Sequence, residues 1–361
     1  MKKTPPTPSA LHLSKGKIMP DSINRQFKRP KRPQRSVEDW ITALRSGDRV
    51  ALSQAITLIE STHAKHQNLA QAIIEGCLPH SGQSFRIGLT GTPGVGKSTF
   101  IDGFGQLLLK EDRQLAVLAI DPSSQMTRGS ILGDKTRMET LSNHPNAFIR
   151  PSAAGSSLGG VAQKTRESII LCEAAGFDTI LVETVGVGQS ETAVHSMVDF
   201  FLLLLLPNSG DELQGIKRGV MEMADLIAIN KADGDALPAA RLARRQCKNG
   251  LHLFPPKASG WTVPVELCSA LEKTGLDALW GHLERYHRHA QLKGYWTDHR
   301  RQQAAYWLEE SLGRQLRQLF DAHVQAPYAP LKGAVLAGQL SPFEASRRLL
   351  ALFLEHQGPK K

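Results

Sequence analysis

The chain is poor in cysteine, and its four (Cys77, Cys172, Cys247, Cys268) show no C-x-x-C spacing. That excludes a disulfide framework and a cysteine zinc site; each thiol is expected to be a small buried side chain in a reducing compartment. Histidine is equally ungrouped: of thirteen, only His63/His66 and His287/His289 are close pairs. There is no His-rich tract or Cys–His cluster of the kind that carries nickel or zinc, and both pairs read as solvated helix faces. Long hydrophobic runs are missing too. One stretch looks membrane-like, residues 200–206 (FFLLLLL), but it falls far short of the roughly 20 residues of a spanning helix. Such a run suits a central strand of a parallel sheet, covered on both faces. Neither an internal repeat nor the apolar core of a signal peptide is visible, so no membrane partner is expected and the cytoplasm is the expected location.

Acidic residues are nearly absent from the first 36 positions, which hold ten of the 44 Lys+Arg but one acid, Asp21. Those residues carry +9 of the formal +10; the 34 basic and 33 acidic residues that remain leave 37–361 at +1. With six prolines and little apolar surface, 1–36 is expected to be a solvated, disordered basic tail. A start misassigned upstream of Met19 and an arm for nucleic acid or an acidic membrane are the other readings. The near-neutral remainder makes nucleic acid a disfavoured partner.

What is present is ample for a core: 361 residues, 41% of them hydrophobic. Periodicity predicts helices at 37–76, then strands at 85–90, 115–120, 147–150, 178–183, 200–206, 225–230 and 263–268. Between and after them helices are expected at 97–110, 161–175, 214–222, 236–247 and 274–290. Strand alternating with helix implies an α/β fold with a mostly parallel, doubly wound sheet. From Tyr295 the pattern is helical only, with amphipathic stretches at 297–321 and 342–356; Trp307, Leu308, Leu312, Leu316, Leu319 and Phe320 form the apolar side of the first. The expected organisation is a tail (1–36), an N-terminal helical subdomain (37–80), a nucleotide-binding domain (81–292) and a C-terminal helical arm (293–361).

The chemistry starts at Gly91, Thr92, Pro93, Gly94, Val95, Gly96, Lys97, Ser98 and Thr99, which fit G-x-x-x-x-G-K-[ST] between a predicted strand and a predicted helix. Glycines let successive N–H groups turn inward onto phosphate oxygens, and the helix N-terminus adds its positive dipole end. Lys97 is expected to reach the β- and γ-phosphates and Ser98 to ligate Mg²⁺. Downstream, Asn230, Lys231, Ala232 and Asp233 read N-K-x-D after a buried strand. The Asp233 carboxylate can accept from guanine N1–H and N2–H₂ together, a pair adenine does not offer, which selects GTP. The Lys231 stem can lie over the base and Asn230 can tie loops together. One strand later, Ser269, Ala270 and Leu271 match S-A-[KL], whose alanine N–H meets guanine O6.

Glu183, with Gly186 three residues on, stands where signalling GTPases carry D-x-x-G. Glu183 and Asp121 are candidates for Mg²⁺, directly or through water, and the loop 129–138 adds Asp134, Lys135 and Arg137 as a switch. For Arg137 the reading of an ordinary surface charge stands beside it.

Together GTPGVGKST (91–99), IDPSSQMTRGSILGDKTRM (120–138), RPSAAGSSLGGVAQKTRE (150–167), VETVGVGQSE (182–191), LPNSGDELQGIKRG (206–219), NKAD and SAL closely resemble the methylmalonyl-CoA mutase-associated GTPases, the MeaB/ArgK group of P-loop GTPases. The likeness covers roughly 37–356. It implies a P-loop GTPase using GTP/GDP and Mg²⁺ that acts as a chaperone for an adenosylcobalamin-dependent acyl-CoA mutase, assisting cofactor loading and protecting the mutase. It also implies a homodimer built on the C-terminal helices, and a further switch loop at 210–217 whose Lys217 takes part in activation. Beside the first switch, Arg128 (in Thr127-Arg128-Gly129-Ser130) stands where the family often has glycine and could stiffen that loop. The alternatives are a regulatory GTPase switch, or a metallochaperone for another metalloenzyme, the latter disfavoured by the missing ligands.

Overall fold

In the computed structural model of the protein, residues 35–120, 138–151, 158–184, 190–207 and 218–357 are described. The predicted basic tail, most of the first switch, and the loops holding Gly186 and Lys217 lie outside them. Residues 37–361 cluster as one compact unit.

The sheet has seven strands: β1 (Phe85–Gly91), β2 (Leu115–Ile120), β3 (Ala147–Arg150), β4 (Thr179–Thr184), β5 (Phe200–Leu205), β6 (Leu226–Ile229) and β7 (Val265–Leu267). Their order is β3-β2-β4-β1-β5-β6-β7, and all six pairings are parallel. Every residue of β1, β4, β5 and β6 is buried. The apolar run at 200–206 is therefore a central strand, as its lack of polar alternation demands. The chain leaves β1 for β2 and β3, returns to β4 beside β1, then crosses to β5. The order reverses at β1, and in such sheets the ligand crevice lies at the carboxyl ends beside the reversal.

Three helices precede the sheet: α1 (Val37–Arg45), α2 (Arg49–Glu60) and α3 (Ala64–Cys77). Asp48 caps α2, accepting from Val50 N at 2.9 Å and Ala51 N at 3.0 Å, which satisfies amides that have no partner inside the helix. Their apolar faces (Leu44, Leu52, Ile56, Ile73) share one core with Ile169, Leu171 and residues of β2, not a core of their own. Then come α4 (Lys97–Lys110), α5 (Glu139–Ser142), α6 (Leu158–Ala174), α7 (Ser190–His195), α8 (Arg218–Met223), α9 (Leu237–Leu251), α10 (Leu276–Leu292), α11 (Tyr295–Leu336) and α12 (Pro342–Gln357). All four cysteines are buried.

Three expectations need correction. The first C-terminal helix does not stop at 321: α11 runs for 42 residues through Pro327 and Pro330. Proline weakens a helix locally, but α11 is held from outside by α12, where Phe320 and Phe353 rings meet at 5.4 Å. Its supposed apolar side also splits. Trp307 is buried, donating its indole N–H to Ser196 O at 3.0 Å, whereas Leu308, Leu312, Leu316 and Leu319 are 50–70% exposed. Nor are His287 and His289 solvated. His287 stacks on Phe85 at 4.8 Å and His289 meets Ser259 O at 2.8 Å.

Among the described residues no helix is long and apolar enough to cross a membrane.

Candidate functional site

The register sets the ends of four strands level. Gly91 pairs with Leu204, Leu205 with Ile229, and Ile229 with Leu267. The loops that leave β1, β6 and β7 therefore start side by side, and these are the P-loop, N-K-A-D and S-A-L segments.

The P-loop conformation depends on its glycines. A Cβ on Gly91 would lie 2.7 Å from Leu204 O and 2.9 Å from Val95 Cγ1, so only glycine lets β1 pass this close to β5. Gly96 is left-handed (φ 94) at the N-cap of α4, and a Cβ there would stand 3.1 Å from Asn230 Nδ2. Behind the loop α4 buries Phe100, Ile101, Phe104 and Leu108, which fixes the helix axis that aims its N-terminus at the loop. Pro93, Gly94 and Thr99 are exposed, Val95 is buried, and Lys97 and Ser98 are half-buried.

Lys97 folds back over the loop, donating to Gly91 O at 2.9 Å and Thr92 O at 3.5 Å. Burial lowers its pKa from the ordinary lysine value, opposed by the carboxylates of Glu183 and Glu191. Glu183 is in β4; its register partner is Leu89, and it is 7% exposed. The next residue, Thr184, donates its hydroxyl to Thr90 at 2.8 Å and ties β4 to β1 just below the loop.

Asn230 joins all three segments. Its amide donates to Val95 O at 2.8 Å, and its Oδ1 accepts from Ala270 N at 3.0 Å and from the Cys268 thiol at 3.7 Å. Burial pushes that thiol up to about 12, so it stays a neutral donor. Lys231 sits at φ 57, and its ammonium reaches back to Gly94 O at 2.9 Å, laying the stem across the loop. Ser269, fully buried, donates to Asp233 Oδ2 in a short bond while accepting from Glu272 N at 3.1 Å. Leu271 stands 75% exposed at the rim.

The structure thus brings together residues 91–99, Glu183, Asn230, Lys231, Asp233 and 269–271. Asp121, Asp134, Gly186 and Lys217 lie outside the described residues, although Ile120, just before Asp121, pairs with Thr184. Sequence reasoning missed the Thr90–Thr184 tie, Cys268 as a partner of Asn230, and Glu191. The first was detectable as a threonine at the carboxyl end of each of two buried strands. The others needed the register.

Comparison with known proteins agrees. The family model described as "Methylmalonyl Co-A mutase-associated GTPase MeaB" matches residues 52–325. A putative GTPase of Caulobacter vibrioides is 49% identical over 323 residues, covering 89% of this chain and 99% of the relative. A "Methylmalonic aciduria type A homolog, mitochondrial" of Mus musculus is 42% identical over 332 residues, covering 89% and 80%. A solved structure described as an LAO/AO transport system kinase superimposes with a TM-score of 0.71 at 38% identity, covering 88% and 97%. With this P-loop, this sheet and these relatives, the chain is a GTPase and belongs to the methylmalonyl-CoA mutase-associated GTPase family.

Proposed function

We propose that the protein is a GTP-driven chaperone that assists cofactor loading and protection of an adenosylcobalamin-dependent acyl-CoA mutase of the methylmalonyl-CoA type. The observation that carries this is membership of a family named for its association with that mutase, in a chain whose phosphate and base loops meet at one sheet end. The relatives named for methylmalonic aciduria support the same partner.

In this reading Lys97 exchanges its two carbonyl contacts for β- and γ-phosphate oxygens. The Ser98 hydroxyl and the buried Glu183 carboxylate are hard oxygen donors, the set Mg²⁺ takes, with Asp121 and Asp134 as further candidates. Held by these residues, Mg²⁺ would supply positive charge to offset that of the phosphates. Asp233, steadied by Ser269, reads guanine N1–H and N2–H₂; Ala270 offers O6 the N–H that otherwise holds Asn230; Lys231 and Leu271 flank the base. Gly186 and the switch around Lys217 respond to the γ-phosphate. The exposed leucine stripe of α11 (Leu308, Leu312, Leu316, Leu319) supports a homodimer, since spacings of three and four put all four on one face. The protein works in the cytoplasm, although some relatives are named mitochondrial.

Co-purification with a cobalamin-dependent mutase, with GDP or with a non-hydrolysable GTP analogue, tests the proposal. Nucleotide-dependent retention is expected; none with either nucleotide would leave a GTPase serving another partner.

A further inference from the structure

We propose that the cavity at the amino ends of β5 and β6 is a second binding site, one for a small uncharged aromatic molecule that carries a hydrogen-bonding group. The cavity has a volume of about 330 Å³, within the range that holds one small ligand. Val198, Asp199 and Phe200 border it where β5 begins, Asp225 just before β6, and Tyr286 and His299 from α10 and α11. The exposed Gly219 and Glu222 of α8 leave it open to solvent. The P-loop, N-K-A-D and S-A-L segments all start from the carboxyl ends of the strands, so this cavity is at the other end of the sheet from the nucleotide loops.

The class of ligand follows from which groups are already paired. Asp225 accepts from Phe201 N at 2.9 Å and pairs with the Lys257 ammonium at 3.2 Å. That ammonium also donates to Met223 O at 2.8 Å, and Asp199 is held by Arg300 at 2.7 Å. An ionic ligand would lose its water beside charges that already neutralise one another, which is costly. The groups left over are neutral. Tyr286 is 2% exposed, and its hydroxyl has no hydrogen-bond partner among the described residues. That hydroxyl is not sealed among protein atoms, so it borders the cavity. A buried tyrosine hydroxyl usually finds a partner in the protein; this one faces open space. The ring nitrogens of His195, on the same cavity, also have no hydrogen-bond partner among the described residues. Burial, with Lys257 and His299 nearby, lowers His195 to about 4, so its ring is an uncharged imidazole with one donor and one acceptor. Burial and the Asp225 carboxylate raise Tyr286, which stays a phenol. The remaining wall is apolar and partly flat, from Phe200, Phe201, Pro255, Pro256 and Met223. A planar apolar body with one donor–acceptor group matches both kinds of surface.

The test uses the full chain and three probes of one shape: benzamide, which is uncharged, with benzoate and benzylamine as its anionic and cationic counterparts. Affinity is read by titration calorimetry in wild type and in Tyr286→Phe, which removes the hydroxyl and keeps the ring that packs on Phe200 and Trp261. Benzamide should bind saturably with a Kd of about 1 mM or tighter, the range open to a ligand of its size. Each charged counterpart should bind at least about tenfold more weakly. Tyr286→Phe should weaken benzamide by at least about threefold, as loss of one hydrogen bond does. In wild type the His195 ring resonances should shift on adding benzamide, a readout that does not depend on the variant. Saturating GDP should leave benzamide bound, because the nucleotide loops are at the other end of the sheet. No saturable benzamide binding, equal binding of a charged counterpart, unchanged affinity in Tyr286→Phe, unmoved His195 resonances or displacement by GDP would each overturn the proposal.

Discussion

Replacing Asp233 by asparagine should turn the protein from guanine toward xanthine, and the structure fixes why. The Ser269 hydroxyl has one proton. Because its oxygen already accepts from Glu272 N, that proton goes to Asp233 Oδ2. In Asp233→Asn the same proton needs an acceptor, so the amide oxygen turns to Ser269 and the NH₂ turns to the base. There it meets the guanine amino group, donor against donor. Xanthine carries a carbonyl at that position, and the match is restored. A buried polar group left without a partner costs about 1–3 kcal/mol, or roughly five- to 150-fold in affinity. GTP affinity should fall by that factor at least and XTP affinity rise in compensation, read by competition of GTP, ATP and XTP against a fluorescent guanine nucleotide. Wild type that bound ATP as well as GTP, or a variant that kept its preference for GTP, would refute the assignment of Asp233 to the base.

Other outcomes follow from the same geometry. Lys97→Ala should abolish hydrolysis and weaken nucleotide binding by at least tenfold, since a hydrogen bond to a charged group contributes about 1.5–3 kcal/mol; retained turnover in a clean preparation would contradict the P-loop reading. Deleting residues 1–36 should leave turnover, dimerisation and Tm unchanged, because a tail with +9 charge and six prolines has little to pack with; a large fall in Tm would show that it packs. Arg300 of α11 donates to both oxygens of Asp199 at 2.7 Å and to Ser84 O at 2.5 Å, lies 4.3 Å over Trp296, and anchors the arm below β1 and β5. Arg300→Ala strands a buried carboxylate at a cost of about 3–5 kcal/mol, so thermal melting should show Tm lower by several degrees; an unchanged Tm would mean the arm is held elsewhere.

Much of this was legible in the sequence because the central elements carry uniform signals. Strands β5 and β6 are apolar runs without alternation; the P-loop leaves β1, N-K-A-D follows β6 directly, and S-A-L starts one residue after β7. Their meeting is then forced by topology. The rest depended on tertiary contacts that no local pattern encodes. The helix α11 runs on past 321 through Pro327 and Pro330, packed against α12. Trp307 and Leu308 are neighbours in one apolar pattern, but Trp307 is buried with its indole on Ser196 O and Leu308 is exposed. No helix was expected at 190–195, so nothing local marked Glu191 as buried.

The chaperone reading is tested most directly by GTP turnover with and without a mutase. With Val187 in place of a water-orienting glutamine, the isolated protein should turn over well below the ordinary enzyme range of about 10 s⁻¹. Titrating in an adenosylcobalamin-dependent mutase of the methylmalonyl-CoA or isobutyryl-CoA type should raise kcat severalfold and saturably. A rate already near 10 s⁻¹ without a partner, or one that neither mutase changes, would contradict the account.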